Sequence, residues 1–312
     1  MEPVLNVGLP VFAIILTGYL AGRFGILGGA STEALNAFVY YFALPPLLFL
    51  SMARVPLEDV FNWHFLAAYS GGVLGTYVLS MLAGLMIFRN RPAALSLQGM
   101  TAIFTNTGYM GVPLYLIAFG EQGALPAIIL TVYNGAIVVG LTIVLIELDL
   151  RSGSEPIKIL GDVALAIVTN PLIISAAAGM VLSLLGVTLP RSVVNFCTIL
   201  GNASGPCALF AMGLFLAGRQ MAARRSEIAW LTLLKLAVQP AITWWLAFHV
   251  LRLEPFWAAS AVVMAALPTG ATAFVIAQRY GAYVGEATAV TLITTVLSFF
   301  TVSALLVWFG MG

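Results

Sequence analysis

Apolar residues in this 312-residue chain come in long blocks, separated by short groups of charge, glycine and proline. Each block is long enough to cross a bilayer as a helix, which takes ~20 mostly apolar residues. Ten such spans can be placed, at 4–22, 34–53, 64–87, 94–118, 125–148, 167–187, 195–217, 228–250, 255–280 and 285–309. The composition agrees: 61% of residues are hydrophobic and 8% charged, too few polar groups to cover a water-soluble globule of this size. The pattern predicts an all-α integral membrane protein of ten transmembrane helices, with no soluble domain for separate chemistry.

The first span lacks a basic leader and runs into Gly22–Arg23–Phe24–Gly25 rather than a small-residue cleavage site, so it is expected to stay in the mature protein. The net charge of +1 carries no information about partners, and no basic run suggests nucleic acid. Cys197 and Cys207 share one predicted helix, roughly 15 Å apart along its axis, too far for a disulfide. Loops after odd-numbered spans hold Arg23, Arg89, Arg91, Arg151, Lys158, Arg219, Arg224, Arg225 and Arg279, while those after even-numbered spans hold Arg54, Arg191 and Arg252. Basic loops stay inside, so the odd loops are expected to be cytoplasmic and both termini outside. Trp63, Trp230, Trp257 and Trp308 fall at span ends, where an aromatic belt belongs.

A repeat is legible in the prolines. Pro10 and Pro171 are related by 161 positions, as are Pro45 and Pro206 and the pair Gly18 and Gly179; Pro113 corresponds to Pro268 after a small gap. These pairs keep span order: first with sixth, second with seventh, fourth with ninth. The expected organisation is a first five-helix repeat (1–148), a cytoplasmic linker (149–163) and a second repeat (164–312). Five is odd, so the halves are inverted, the architecture of alternating-access carriers.

Spans four and nine each carry a proline deep inside with polar and glycine neighbours, TNTGYMGVP at 105–113 and LPTGAT at 267–272. Irregular backbone at membrane depth survives only where protein or a cavity surrounds it. Two broken helices meeting near the midplane are therefore expected, with Pro113 and Pro268 starting the second half of each. Their N-terminal dipole ends would converge on one point and favour an anion. Simple kinked helices are the alternative.

NTGYMGVPL in span four and LPTGATAFVIAQRY in span nine resemble the two crossover motifs of the auxin efflux carrier family, whose plant members are the PIN-FORMED carriers. ALPPLLF, ALFAMGLFLA and KLAVQP extend the resemblance over nearly the whole chain. It implies a fold like that of bile acid sodium symporters, in which spans 1, 2, 6 and 7 form a scaffold, spans 3–5 and 8–10 a moving transport domain, and helices four and nine cross. It also implies homodimers through the scaffold. The long cytoplasmic loop of the plant carriers is replaced here by a short linker, which points to a prokaryotic member in the inner membrane. For such members the resemblance suggests carboxylates such as malonate, malate or lactate rather than auxin.

The candidate substrate contact is Asn106, whose amide can donate to a carboxylate immediately before the break; an interhelical hydrogen bond is the alternative. Thr107, Pro113, Pro268, Thr269, Gly270 and Thr272 complete the two breaks, the threonines offering hydroxyls or N–H groups unless they bond back to their own helices. Tyr133 is a cavity-wall candidate by resemblance, and Asn134 either joins it or bonds structurally. Pro45 and Pro206 are scaffold prolines that set bends. Lys235, two turns into span eight, either snorkels to the cytoplasmic interface or supplies a counter-charge along the substrate route. Glu147 and Asp149, near Arg151, read as a solvated pair. His64 and His249 lack metal-site partners, and no cofactor is implied. With no carboxylate at the midplane the coupling ion, sodium or proton, stays open.

Three classes compete. A secondary carrier of organic anions, elevator-like in its movement, accounts for the repeat and the paired breaks; a sodium-coupled symporter of the bile acid type is a variant of it. An anion channel would use the same polar midplane without a rocking repeat. An enzyme would need a nucleophile, base or metal cluster, and no acid or histidine approaches a core Ser or Cys in the sequence pattern.

Overall fold

The structure is a computed structural model and describes residues 9–54, 62–150, 161, 165, 168–217 and 224–310. Most of the predicted linker, with Arg151 and Lys158, lies outside the described residues, as do Arg219 and the side chains of Glu147, Asp149 and Arg279. Among the described residues twelve helices are found: α1 (Leu9–Arg23), α2 (Gly29–Arg54), α3 (Trp63–Phe88), α4 (Pro92–Ile103), α5 (Val112–Gly123), α6 (125–150), α7 (Pro171–Leu184), α8 (Arg191–Ala217), α9 (Arg225–Val250), α10 (Pro255–Ala266), α11 (Thr272–Tyr280) and α12 (Val284–Phe309). Six of them, α2, α3, α6, α8, α9 and α12, are long and apolar enough to cross a membrane. The chain is an integral membrane helical protein.

The predicted fourth and ninth spans are each two helices. The chain leaves α4 at Phe104 in extended conformation, turns at Asn106, and re-enters through a π turn at Thr107–Gly111 that runs into α5. Between α10 and α11 the break covers Leu267 to Ala271. Further π turns interrupt α2 at Val39–Ala43, α6 at Asn134–Val138 and α9 at Leu234–Val238. An inserted residue of this kind re-aims every side chain beyond it and frequently marks a functional position.

Helix packing sorts into two sets. Helix α1 lies along α8, α7 along α2, and α2 against α8; α3, α4, α6, α9, α10 and α12 pack among themselves around the two breaks. In the first set the backbones touch. A Cβ at Gly18 of α1 would stand 2.1 Å from the Phe210 carbonyl oxygen of α8, and one at Gly179 of α7 would stand 2.2 Å from the Phe49 carbonyl oxygen of α2. Only glycine fits at such an approach, the small-residue packing by which membrane helices gain contact without a hydrophobic drive. Gly18 and Gly179 are related by 161 positions, and so are their partners Phe49 and Phe210, so the same contact is made twice.

Candidate functional site

Backbone groups freed by a helix break need partners in a medium without water. Here the two breaks satisfy one another. Asn106 N–H donates to the Pro268 carbonyl at 2.9 Å and Gly270 N–H to the Phe104 carbonyl at 3.0 Å, pairing Thr105 with Thr269 as two residues of antiparallel sheet inside a helical protein. Pro113 lies in the first turn of α5, behind the π turn, and packs against Gly205 of α8. Pro268 starts no helix, contrary to expectation: it sits in the extended break four residues before α11, because its carbonyl is needed by Asn106.

Lys235 is where the structure departs furthest from the snorkelling reading. It is 0% exposed, and its ammonium donates to Thr105 Oγ1 at 2.8 Å, Gln239 Oε1 at 2.6 Å and the Ala265 carbonyl at 2.9 Å. Three donors meet three acceptors, which satisfies the ammonium completely. Gln239, one turn on, donates to the Ile103 carbonyl at 3.5 Å. The pair on α9 therefore serves the last carbonyls of both α4 and α10, the negative ends of the two broken helices. The opposite, positive ends open on a cavity.

That cavity, about 430 Å³, is lined on one side by Phe104 to Tyr109, by Thr131, Asn134 and Gly135 of α6, and by Ala271, Thr272 and Val275 around the start of α11. Its other side is α2, through Asn36, Tyr40 and Tyr41, and Asn170 and Leu172 at the start of α7. Among the described residues no charged side chain lines it. Asn106 is 4% exposed, and among the described residues its amide nitrogen meets only the thioether of Met212 on α8, at 3.2 Å. A thioether is a weak acceptor, so this amide has capacity for a better one. Asn134 donates to Thr107 Oγ1 at 3.3 Å and to the Tyr69 hydroxyl at 3.2 Å, and that hydroxyl donates its one proton to Thr105 Oγ1 at 2.9 Å.

Of the residues singled out in the sequence, Asn106, Thr107, Asn134 and Thr272 line the cavity. Thr269 and Gly270 hold the crossing instead: Thr269 N–H donates to Thr294 and its hydroxyl to the Thr101 carbonyl at 2.9 Å. Tyr133 is not among the lining residues; it stands edge-on to Tyr69, ring centroids 5.6 Å apart. Pro45 follows the π turn of α2, and Pro206 lies inside α8 next to the Gly205 contact with Pro113. Sequence reasoning missed Tyr69 and Thr105, the two hydroxyls that link lysine, break and Asn134. The four-residue spacing of Lys235 and Gln239 was a usable signal for a paired lysine. It also missed Glu227, which is 0% exposed at the start of α9 and accepts from Asn90 at 2.6 Å and from the Tyr283 hydroxyl. Burial, then the Glu227 carboxylate, holds the Tyr283 hydroxyl well above its ordinary pKa.

An all-helical membrane protein whose broken helices meet beside a polar cavity is built as a membrane transporter. The chain matches the family described as "Membrane transport protein" over residues 3–306, and it belongs to that family, the auxin efflux carrier family. A relative from Rhizobium meliloti (strain 1021), named "Putative malonate transporter", is 33% identical over 98% of this chain and 96% of its own length. "Uncharacterized transporter YfdV" of Escherichia coli (strain K12) is 28% identical over 96% and 95%, and "Auxin efflux carrier component 5" of Arabidopsis thaliana is 23% identical over 89% and 88%. The family is one of transporters, not of enzymes.

Proposed function

We propose that the chain is a secondary carrier that moves small carboxylate anions by alternating access. The observation that carries this reading is the amide of Asn106, held at the cavity wall by the paired breaks and bonded, among the described residues, only to a thioether. A carboxylate placed there would accept from that amide and face the N-terminal ends of the second half-helices, where Gly108, Tyr109 and Thr272 line the cavity. Thr105 touches both the cavity and the Lys235 ammonium, so the buried cation stands one residue behind the anion, in a medium where charge acts strongly. The name of the Rhizobium relative supports the carboxylate class.

In this reading the ten spans form two inverted repeats, supported by the glycine contact made twice at the same offset. Helices α1, α2, α7 and α8 are the scaffold, through which two copies pair as a homodimer; the rest form the transport domain. The α2 and α7 residues of the cavity wall lie at the helix ends nearest the basic loops, which by the positive-inside rule supports a cavity open toward the cytoplasm of a bacterial inner membrane, with both termini periplasmic. Sliding of the breaks along α8, past the Met212 and Gly205 contacts, carries the anion to the other face.

Counterflow in proteoliposomes tests the reading. A panel of mono- and dicarboxylates is expected to include one that shows saturable counterflow in the wild type, which a channel would not give. Asn106→Ala is expected to weaken that anion about tenfold, the usual cost of losing a hydrogen bond to a charged group. Unchanged affinity in Asn106→Ala would move the site away from the crossing.

A further inference from the structure

Away from the cavity, charge gathers where the loop between α3 and α4 meets the start of α9. Asn90 donates to Glu227 Oε1 at 2.6 Å, and the Arg224 guanidinium donates to the Phe88 carbonyl at 3.1 Å, so two segments 136 positions apart are bonded side by side. These bonds bring Arg89 and Arg91, which flank Asn90, beside Arg224 and Arg225. All four arginines are exposed, and none forms an ion pair with a described residue. The described acids nearby do not balance them. Glu227 is buried beneath the loop, its Oε1 taken by Asn90 and Tyr283 and its Oε2 without a partner, and Glu286, in the first turn of α12, lies near Tyr283. Four arginines against two carboxylates leave a formal excess of two positive charges here, in a chain whose whole net charge is +1.

Arg89 carries a second signal. It caps the π turn that ends α3 in the left-handed conformation, φ 53° and ψ 45°, where glycine is at ease and a side chain is strained. Glycine would serve the turn better; what arginine adds there is its charge. The residues just before it, Leu85, Met86 and Ile87, are apolar and exposed, so a surface for acyl chains runs directly into the arginine cluster. A soluble anion would use only the arginines, whereas a phospholipid uses both surfaces at once. We infer that Arg89, Arg91, Arg224 and Arg225 bind the phosphate headgroup of an anionic phospholipid whose acyl chains lie on Leu85, Met86 and Ile87. Guanidinium groups offer paired N–H donors to phosphate oxygens, and clustered basic residues beside a membrane helix draw anionic headgroups. The inference is independent of the carboxylate reading, and its test uses no carboxylate.

The test is thermal stabilisation of the purified full chain in detergent by short-chain phosphatidylglycerol, compared at constant ionic strength with short-chain phosphatidylcholine, glycerol phosphate and inorganic phosphate. The wild type is expected to respond to phosphatidylglycerol at a concentration at least about tenfold lower than to phosphatidylcholine, and not to the soluble phosphates. Arg91→Gln combined with Arg225→Gln removes two side chains that bond to no described residue, so the fold is retained. This pair is expected to weaken phosphatidylglycerol about 25-fold, roughly fivefold for each charge, and to leave phosphatidylcholine unchanged. Arg89→Gly is expected to raise stability in the absence of lipid, by relieving the left-handed position, while weakening phosphatidylglycerol about fivefold. Arg191→Gln combined with Arg252→Gln takes equal charge from the loops before α8 and after α9 and is expected to leave phosphatidylglycerol within about twofold. Equal weakening by the two pairs, or a wild type without preference for phosphatidylglycerol, overturns the site. Soluble phosphates that stabilise as strongly as phosphatidylglycerol overturn the lipid as its occupant.

Discussion

The two breaks look alike in sequence and are unlike in the folded protein. The first, Phe104 to Gly111, lines the cavity and ends in a π turn; among the described residues Asn106 has only a thioether for its amide nitrogen. The second, Leu267 to Ala271, is locked: Thr269 is bonded twice, and a Cβ at Gly270 would stand 2.6 Å from the Phe104 ring. One break presents chemistry and the other anchors it. Matched prolines thus mark where the two helices break, and the surrounding contacts decide which break lines the cavity.

Substitutions can break this comparison. The largest effect is expected at Lys235, which serves both breaks through Thr105 and Ala265. Lys235→Met should cost on the order of 3 kcal/mol in chemical denaturation, since it strands buried acceptors on both sides of the crossing. A loss near zero would mean that the breaks hold together without it. Next comes the glycine pair. Gly270→Ala is expected to destabilise by about 2 kcal/mol through overpacking against Phe104. Gly108→Ala, whose Cβ would meet Thr131 no closer than 3.4 Å, should stay within about 0.5 kcal/mol. Equal losses at the two glycines would erase the distinction between anchor and open wall. An effect smaller than that at Gly270 is expected from Thr269→Val, which removes the bond to the Thr101 carbonyl at about 0.6–1 kcal/mol and leaves anion affinity unchanged. Measured by thermal titration with the transported anion, a drop in affinity there would place the second break in the binding surface after all.

Much of this arrangement was legible in the residues. Pro, Gly and Asn inside otherwise apolar spans mark a broken helix because each is costly in an unbroken one, and the shared 161-residue offset relates two equivalent contacts, Gly18 on Phe210 and Gly179 on Phe49. What remained hidden depends on partners far along the chain. Lys235 looks like a snorkelling residue when judged by its distance from the start of its helix; Thr105, 130 positions away, is what keeps it inside. Tyr69 sits in an uninterrupted apolar span and carries no local sign that its hydroxyl bridges Thr105 and Asn134. Tyr133 and Asn134 are neighbours in sequence, yet their side chains leave the helix in different directions, and only Asn134 reaches the cavity.

The buried lysine also bears on how the protein is made. A lysine at the centre of a lone membrane helix costs about 2.5–3.5 kcal/mol to insert. Thr105 precedes Lys235 in the chain and Ala265 follows it, so when α9 enters the bilayer one of the crossing's acceptors is already present and another has yet to be synthesised. Helix α9 can hide its charge at once only by docking on α3 and α4. The order of synthesis therefore makes the first half of the protein the template on which the second half is laid down.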